Sequence, residues 1–211
     1  MSKIWIVAIS MTVVALFVGC DSAGTDDSGG ATEPGETDVP VVETTAETAA
    51  TNAANDIPDS TYRSLASSMG STFSSLGSYF SAWDTSVEGW SQSGSTWTYE
   101  YSDDSSFSAR WEVTDTGSGW NYVVYYDLDS DGSLEKFYEG TVSYDGNTGS
   151  FSYYETDGST AVTASWTVSG SQVTYEYEFT GGYTITMVTN TDGSSGTITF
   201  TDGSTTDTYT W

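Results

Sequence analysis

The stretch QVTYEYEF, residues 172–179, alternates apolar and polar side chains without a break. In an extended chain Val173, Tyr175, Tyr177 and Phe179 share one face, and the intervening Thr and Glu residues share the other. A period of two, built from aromatic and β-branched residues, is typical of a half-buried strand in an antiparallel sheet. Gly-containing pairs precede and follow the stretch. It therefore predicts one strand of a meander with a tight turn at each end.

The same alternation recurs along the chain from about residue 97 onward. The turn pairs between the runs are Asp145-Gly146, Asp157-Gly158, Gly170-Ser171, Gly181-Gly182, Asp192-Gly193 and Asp202-Gly203. The segment SGSTWTYEY at 93–101 also echoes SGSQVTYEY at 169–177, which supports repeated hairpins. The spacing leaves no room for crossover helices. The sequence thus predicts a mainly β fold, an antiparallel up-and-down meander of about ten strands that is curled or barrel-like.

Residues 60–87 have the helical rather than the strand period. Their apolar residues recur at spacings of three and four: Tyr62, Leu65, Met69, Phe73, Leu76, Phe80, Trp83 and Val87. Asp59 or Ser60 can cap the start. The polar face is rich in serine rather than Lys or Arg, which favours packing on a sheet over lying on a membrane. We expect one N-terminal amphipathic helix packed on the sheet, and a folded domain spanning residues 59–211.

The N-terminal residues 1–19 combine Lys3 with a nearly unbroken apolar run. This pattern is typical of a secretory signal peptide, and the run is short for a membrane-spanning helix of about 20 residues. An uncleaved anchor is the alternative. From Cys20 to residue 58 the chain is acidic, rich in Thr, Ala and Gly, and without an aromatic residue. Residues 20–58 are therefore predicted to be a lipidated cysteine followed by a disordered tether.

The residues Phe17-Val18-Gly19-Cys20 resemble the lipobox of bacterial lipoproteins, although the family favours Leu where this chain has Phe17. The resemblance covers only the first twenty residues or so, and it implies that Cys20 carries lipid and becomes the mature N-terminus. Acyl chains contribute about 0.8 kcal/mol per buried methylene, so several chains hold a protein stably on a bilayer. The implied location is the cell envelope, with the outer membrane favoured over the inner membrane. Asp21, next to the cysteine, resembles a signal for retention in the inner membrane, whereas the acidic stretch that follows is similar to a signal for export to the cell surface.

The charge balance is strongly acidic: 30 Asp and Glu residues against four Lys and Arg, a net charge of −26, and no histidine. Such a charge argues against nucleic-acid binding, because phosphates and carboxylates repel each other. It favours cation uptake, and it suits high salt, where screening reduces the self-repulsion. With no histidine base and a single cysteine, the sequence also argues against catalysis.

The segment DLDSDGSLE, residues 127–135, resembles the first half of a calcium-binding loop. Asp127, Asp129 and Asp131 supply carboxylates at positions one, three and five, Ser133 a carbonyl, and Glu135 a further ligand. Position twelve is Tyr138 rather than Glu, and the flanking residues have the pattern of strands. A calcium ion and a plain acidic hairpin turn are both compatible with this segment.

Aromatic residues make up 15% of the chain and include eight tryptophans. Their alternation favours a core face, whereas Trp90 and Trp120 border turns and are the candidates for stacking on a sugar. We therefore expect a membrane-anchored, non-enzymatic envelope or surface protein whose β-domain binds a glycan or an envelope protein, or has a structural role. A small outer-membrane β-barrel, suggested by the terminal Trp211, is a further alternative, but the strands are short for that purpose.

Overall fold

The computed structural model describes residues 39–81, 83–85, 88–102, 108–127 and 131–211. Within these ranges three helices precede eleven strands. The helices are α1 (Pro40–Asp56), α2 (Ser60–Ser74) and α3 (Leu76–Ser81). The strands are β1 (Ser91–Ser93), β2 (Thr96–Ser102), β3 (Ser108–Asp115), β4 (Gly119–Tyr126), β5 (Glu135–Ser143), β6 (Thr148–Tyr154), β7 (Thr160–Ser169), β8 (Gln172–Phe179), β9 (Tyr183–Asn190), β10 (Gly196–Asp202) and β11 (Thr205–Thr210).

All eleven strands form one sheet in which each strand pairs with its sequence neighbours. Every ladder is antiparallel, so the predicted mainly β meander is confirmed. Over the described residues no ladder joins β1 to β11, and the sheet is open. Over these residues the sheet does not take the closed, barrel-like form that the alternation also allowed.

The two echoing segments form equivalent hairpins. β1 and β2 are joined at Gly94-Ser95, and β7 and β8 are joined at Gly170-Ser171. Both glycines lie in the left-handed region, with φ of 64° and 59°. A two-residue turn between twisted strands needs a positive φ, which glycine adopts without a steric penalty.

One face of the sheet, here called the inner face, packs against the helices. Phe73 of α2 lies 4.8 Å from Tyr175, measured between ring centroids, and Trp83 lies 4.8 Å from Tyr122. Near the last strand Tyr62 stacks on Phe200 at 4.4 Å. The aromatic residues that alternate along the strands therefore mostly form the core, and the opposite, outer face carries the polar residues.

The predicted disordered tether is wrong for residues 40–56, because they form the helix α1. The helix buries Ala46, Ala49 and Ala53, and alanine is the best helix former. A Cβ built on Gly70 of α2 would lie 2.3 Å from the Ala50 Cβ, so the two helices approach very closely. At such a short distance, small side chains are sufficient to fill the space between the two helices.

The single predicted helix is also wrong in number and extent, since α2 and α3 divide residues 60–81 at Ser75. Serine and glycine are weak helix formers, so this segment depends on the sheet for its conformation. Asp59 caps α2 by accepting hydrogen bonds from the backbone N–H groups of Thr61 at 2.8 Å and Tyr62 at 3.2 Å.

The predicted signal peptide, the lipobox, Cys20 and the tether up to residue 38 lie outside the described residues, as do Val87 and Asp129. Among the helices that the structure does describe, none combines the length and the hydropathy that a membrane crossing requires.

Candidate functional site

The predicted calcium loop begins at the end of β4. The Asp127 side chain is largely buried, and its two carboxylate oxygens accept hydrogen bonds from the backbone N–H groups of Asp131 and Gly132, both at 3.1 Å. Asp131 in turn accepts from the Ser133 N–H at 2.8 Å, and Glu135 begins β5. Across the described residues, which omit Asp129, no three acidic side chains converge on a cation site. Calcium binding by this loop stays a prediction.

The two tryptophans proposed for ligand stacking are not on an open surface. Trp120 is only 2% exposed and packs edge-on against Trp97 and Tyr144, so its ring has no open face on which a sugar could stack. Trp90 is half-buried and contacts Trp83 at 6.2 Å and Tyr99 at 5.6 Å. The expectation of exposure is wrong for Trp120, because its position on β4 falls on the inner face.

The outer face instead presents rows of hydroxyl groups. The strand registers align one continuous row of small polar side chains across ten strands, interrupted by a single carboxylate: Thr96, Thr114, Asn121, Thr141, Ser150, Ser165, Glu176, Thr186, Thr199 and Thr208. Neighbouring hydroxyls bond to one another, as Thr141 and Ser150 do at 3.1 Å and Thr199 and Thr208 at 3.1 Å. A hydroxyl can donate once and accept twice, so each keeps capacity for a ligand or water.

A groove of about 440 Å³ lies on this face. Its polar side chains come from the β3–β4 turn and from β5, β6 and β7: Thr116, Ser118, Thr141, Ser143, Thr148, Ser150, Ser165 and Thr167. We call these residues the hydroxyl groove. Its volume lies within the range of small-ligand sites, and its lining offers hydrogen-bonding groups rather than charge.

Hydrogen bonds between two turns hold one wall of the hydroxyl groove. Asp115 accepts from the Gly117 N–H at 2.7 Å and from the Tyr144 hydroxyl. The Tyr144 N–H also donates to the Ser118 carbonyl at 3.3 Å, which ties the β5–β6 turn to the β3–β4 turn. The hydrogen bond from Tyr144 lowers the pKa of Asp115, because it stabilises the ionised carboxylate.

On the inner face, beneath the hydroxyl groove, Gly149 leaves room for the Trp166 indole to lie across β6. A Cβ on Gly149 would lie 2.2 Å from the Trp166 ring, so only glycine fits. The Trp166 N–H thereby reaches the Gly146 carbonyl at 2.9 Å in the buried interior. This contact fixes the β5–β6 turn that borders the hydroxyl groove.

Farther along the same strands lies a second feature, which we call the cation–aromatic row: Arg110, Tyr125, Lys136 and Tyr154. The Arg110 guanidinium lies 4.3 Å from the centre of the Tyr125 ring, and the Lys136 amine lies 4.5 Å from that of Tyr154. Such cation–π contacts contribute about 0.5–1 kcal/mol at exposed sites. Of the four basic residues in the chain, Arg110 and Lys136 are the two that the sheet carries.

A register shift in β5 helps to bring the second cation–π pair together. Between Val124 and Tyr125 the β4–β5 register shifts by one residue, so that Tyr125 pairs with Lys136 and both point outward. Tyr154 reaches the outer face by the ordinary alternation of β6, because Tyr153 points inward, and the β6–β7 register shifts beside it at residue 161 of β7. Bulges of this kind redirect side chains and often border functional surfaces.

Each cation in the row has a carboxylate partner. Arg110 lies 3.0 Å from Glu112, and Lys136 lies 2.8 Å from Glu139, whose carboxylate also accepts from the Tyr154 hydroxyl at 3.0 Å. The hydrogen bond between them raises the pKa of Lys136 and lowers the pKa of Glu139. The row therefore combines ring surface with paired charges and offers no unbalanced positive charge.

Sequence reasoning missed both features of the outer face. The hydroxyl rows were visible as the polar half of the alternation, but strand register decides which hydroxyls meet. The break in alternation at KFY, residues 136–138, was the one signal of the bulge beside Lys136. Comparison of the chain with protein-family models, with curated proteins and with solved structures finds no match.

Proposed function

We propose that this protein is a lipid-anchored, non-enzymatic module of the bacterial cell envelope, and that the outer face of its sheet binds a neutral glycan. The observation that supports glycan binding is the continuity of the hydroxyl groove with the cation–aromatic row on the outer faces of β4, β5 and β6. From Gly119 to Tyr125 this surface runs about 20 Å, at about 3.3 Å per residue. That length accommodates several sugar units.

The chemistry of this surface suits a sugar polymer. Hydroxyl groups such as those of Thr141 and Ser150 exchange hydrogen bonds with sugar hydroxyls in either direction. Tyr125 and Tyr154 offer ring surface for the apolar faces of pyranose rings. The charges of Arg110 and Lys136 are balanced by carboxylates, and the chain carries a net charge of −26, so an acidic glycan would be repelled.

The proposed glycan binding is tested with a panel of immobilised neutral and acidic polysaccharides. We expect binding to a neutral member, and at least a tenfold loss of affinity in Tyr125→Ala and in Ser150→Phe, which fills the hydroxyl groove. Thr186→Ala, on the outer face of β9 and away from the groove, is the matched control and should bind as the parent does. No binding across the panel, or equal binding by all variants, would overturn the proposal of glycan binding and favour a structural role.

The anchor is tested separately. Mass spectrometry of the mature protein should find acyl groups on Cys20, and Cys20→Ser should leave the protein in the aqueous phase of a detergent partition. Protease added to intact cells then distinguishes the leaflet: cleavage before α1 places the β-domain outside the cell, and protection until the outer membrane is broken places it in the periplasm. An unmodified Cys20 would contradict the lipoprotein proposal without affecting the glycan test.

A further inference from the structure

Among the residues that the structure describes, β11 pairs with β10 on one side and with no strand at its other edge. Gly196 of β10 and Trp211 exchange two backbone hydrogen bonds of 3.2 Å each. Hydrogen-bonded pairs alternate along an antiparallel ladder, so in β11 the odd-numbered residues bond to β10. The N–H and C=O groups of Thr206, Thr208 and Thr210 therefore point away from the sheet.

This edge lacks most of the features that usually block strand pairing. Proteins commonly protect an edge with Lys, with proline, with a bulge or with an inward-pointing charge, and β11 has only the last of these, Asp207. Thr206, Thr208 and Thr210 are uncharged and exposed, and the β10–β11 register is regular. Asp207 is the only charged residue of β11; it pairs with Phe200, which lies on the inner face, and accepts a hydrogen bond from the Tyr62 hydroxyl at 3.0 Å. By contrast, β1 at the other side of the sheet is only three residues long.

We propose that two copies of this protein pair through β11, antiparallel, about a two-fold axis at Thr208. In this register Thr208 lies opposite Thr208 of the second copy, and Thr206 lies opposite its Thr210. Three hydrogen-bonded pairs form, each with two backbone bonds, and the hydroxyl rows of the outer face continue from one copy to the other.

A neighbouring register is less favourable. On the inner face the proposed register sets Asp207 opposite Tyr209 of the second copy. A shift that instead centres the axis on Asp207 leaves only two hydrogen-bonded pairs and brings two carboxylates face to face. Because each chain carries a net charge of −26, the pairing should strengthen with salt. Attachment of both copies to one membrane would raise their effective concentration.

The pairing is tested by disulfide cross-linking of the full-length chain in cells. Opposed residues of a hydrogen-bonded pair have Cα atoms about 5.5 Å apart, which matches disulfide geometry. The Thr208→Cys variant should form a disulfide-linked dimer when a mild oxidant is added. Thr199→Cys, one strand inward on the same face, should cross-link no more than the parent. The parent, whose single cysteine is Cys20, measures any background from that residue.

A second pair of variants tests the backbone bonds. Thr210→Pro removes an N–H that faces the open edge without breaking a ladder bond to β10, and Thr210→Val keeps that N–H. In the Thr208→Cys background the proline should lower the dimer fraction several-fold and the valine should not, with the same melting temperature in both. Absence of a Thr208→Cys dimer, an equal yield from Thr199→Cys, or a cross-link to a different protein would overturn the proposal.

Discussion

The Tyr62 hydroxyl donates a hydrogen bond of 3.0 Å to the Asp207 carboxylate, joining the first turn of α2 to the inner face of the edge strand β11. The Tyr62 ring also stacks on Phe200 of the neighbouring strand, at 4.4 Å and an interplanar angle of 7°. A carboxylate that points toward the core of an edge strand thus has a partner. The contact connects the helical layer with the end of the sheet.

Replacement of Tyr62 tests this link. Tyr62→Phe keeps the stacked ring and removes the hydroxyl, so we expect a loss of about 1 kcal/mol in the free energy of unfolding, the usual contribution of one hydrogen bond. Urea unfolding measures it. Asp207→Ala and the double variant complete a cycle, and the two single effects should not be additive. Additive effects would show that the two side chains are not coupled.

Alkaline pH should destabilise the fold through its buried tyrosines. Burial raises the pKa of Tyr153 to about 12 and also raises the pKa of Tyr79, Tyr138 and Tyr175. In the unfolded chain tyrosine ionises near pH 10, so the neutral folded form contributes fully below pH 10 and loses that advantage as the pH rises toward 12. For Tyr153 the loss is roughly 2–3 kcal/mol.

The measurement is the free energy of unfolding in urea at several pH values from 8 to 12. Tyr153→Phe is the control, because Phe does not titrate, and its stability should fall less steeply above pH 10. Parallel curves for parent and variant would contradict the assignment.

The close approach of α1 and α2 makes Gly70 sensitive to a single methyl group. Gly70→Ala would place a Cβ 2.3 Å from the Ala50 Cβ, which requires the helices to separate. Overpacking of this kind costs about 1–3 kcal/mol, more than the gain of about 1 kcal/mol in helix propensity. Thermal unfolding should show a lower melting temperature. Ser71→Ala, at the adjacent exposed position of α2, should be neutral or slightly stabilising, and an equal effect of both would exclude the close contact.

The acidic composition predicts stabilisation by salt. The screening length falls from about 10 Å at 0.1 M to about 3 Å at 1 M, which weakens repulsion among 30 acidic residues. The urea midpoint should therefore rise between 0.1 and 2 M NaCl. Choline chloride at the same concentrations separates general screening from a specific need for sodium. A midpoint that is highest in dilute buffer would contradict adaptation to high salt.

The calcium interpretation of residues 127–135 predicts that millimolar Ca²⁺ raises the melting temperature and that Asp131→Asn reduces the rise. Mg²⁺ is the control, because it demands a smaller, octahedral site. Since the Asp127 oxygens already accept two backbone hydrogen bonds, an acidic turn needs no cation to hold its shape. A melting temperature unchanged by 5 mM Ca²⁺ would support the plain turn.

The sequence by itself determined the fold class. Alternation such as that of Val173, Tyr175 and Tyr177 identifies the buried face of a strand, because side chains project to opposite sides at every residue. Turn pairs such as Gly170-Ser171 determined where the strands reverse. These signals are local, and they were sufficient for an antiparallel meander with its aromatic residues inside.

Tertiary structure decided what local patterns do not encode. The composition of α1, acidic and without an aromatic residue, predicts a tether, because most of the residues that the helix buries are alanines. Only the close approach of Gly70 shows that alanine is large enough there. The cation–aromatic row exists because a bulge in β5 brings Lys136 to the outer face beside Tyr125. Register and helix docking depend on contacts between residues far apart in the chain, and these contacts determine which side chains share a surface.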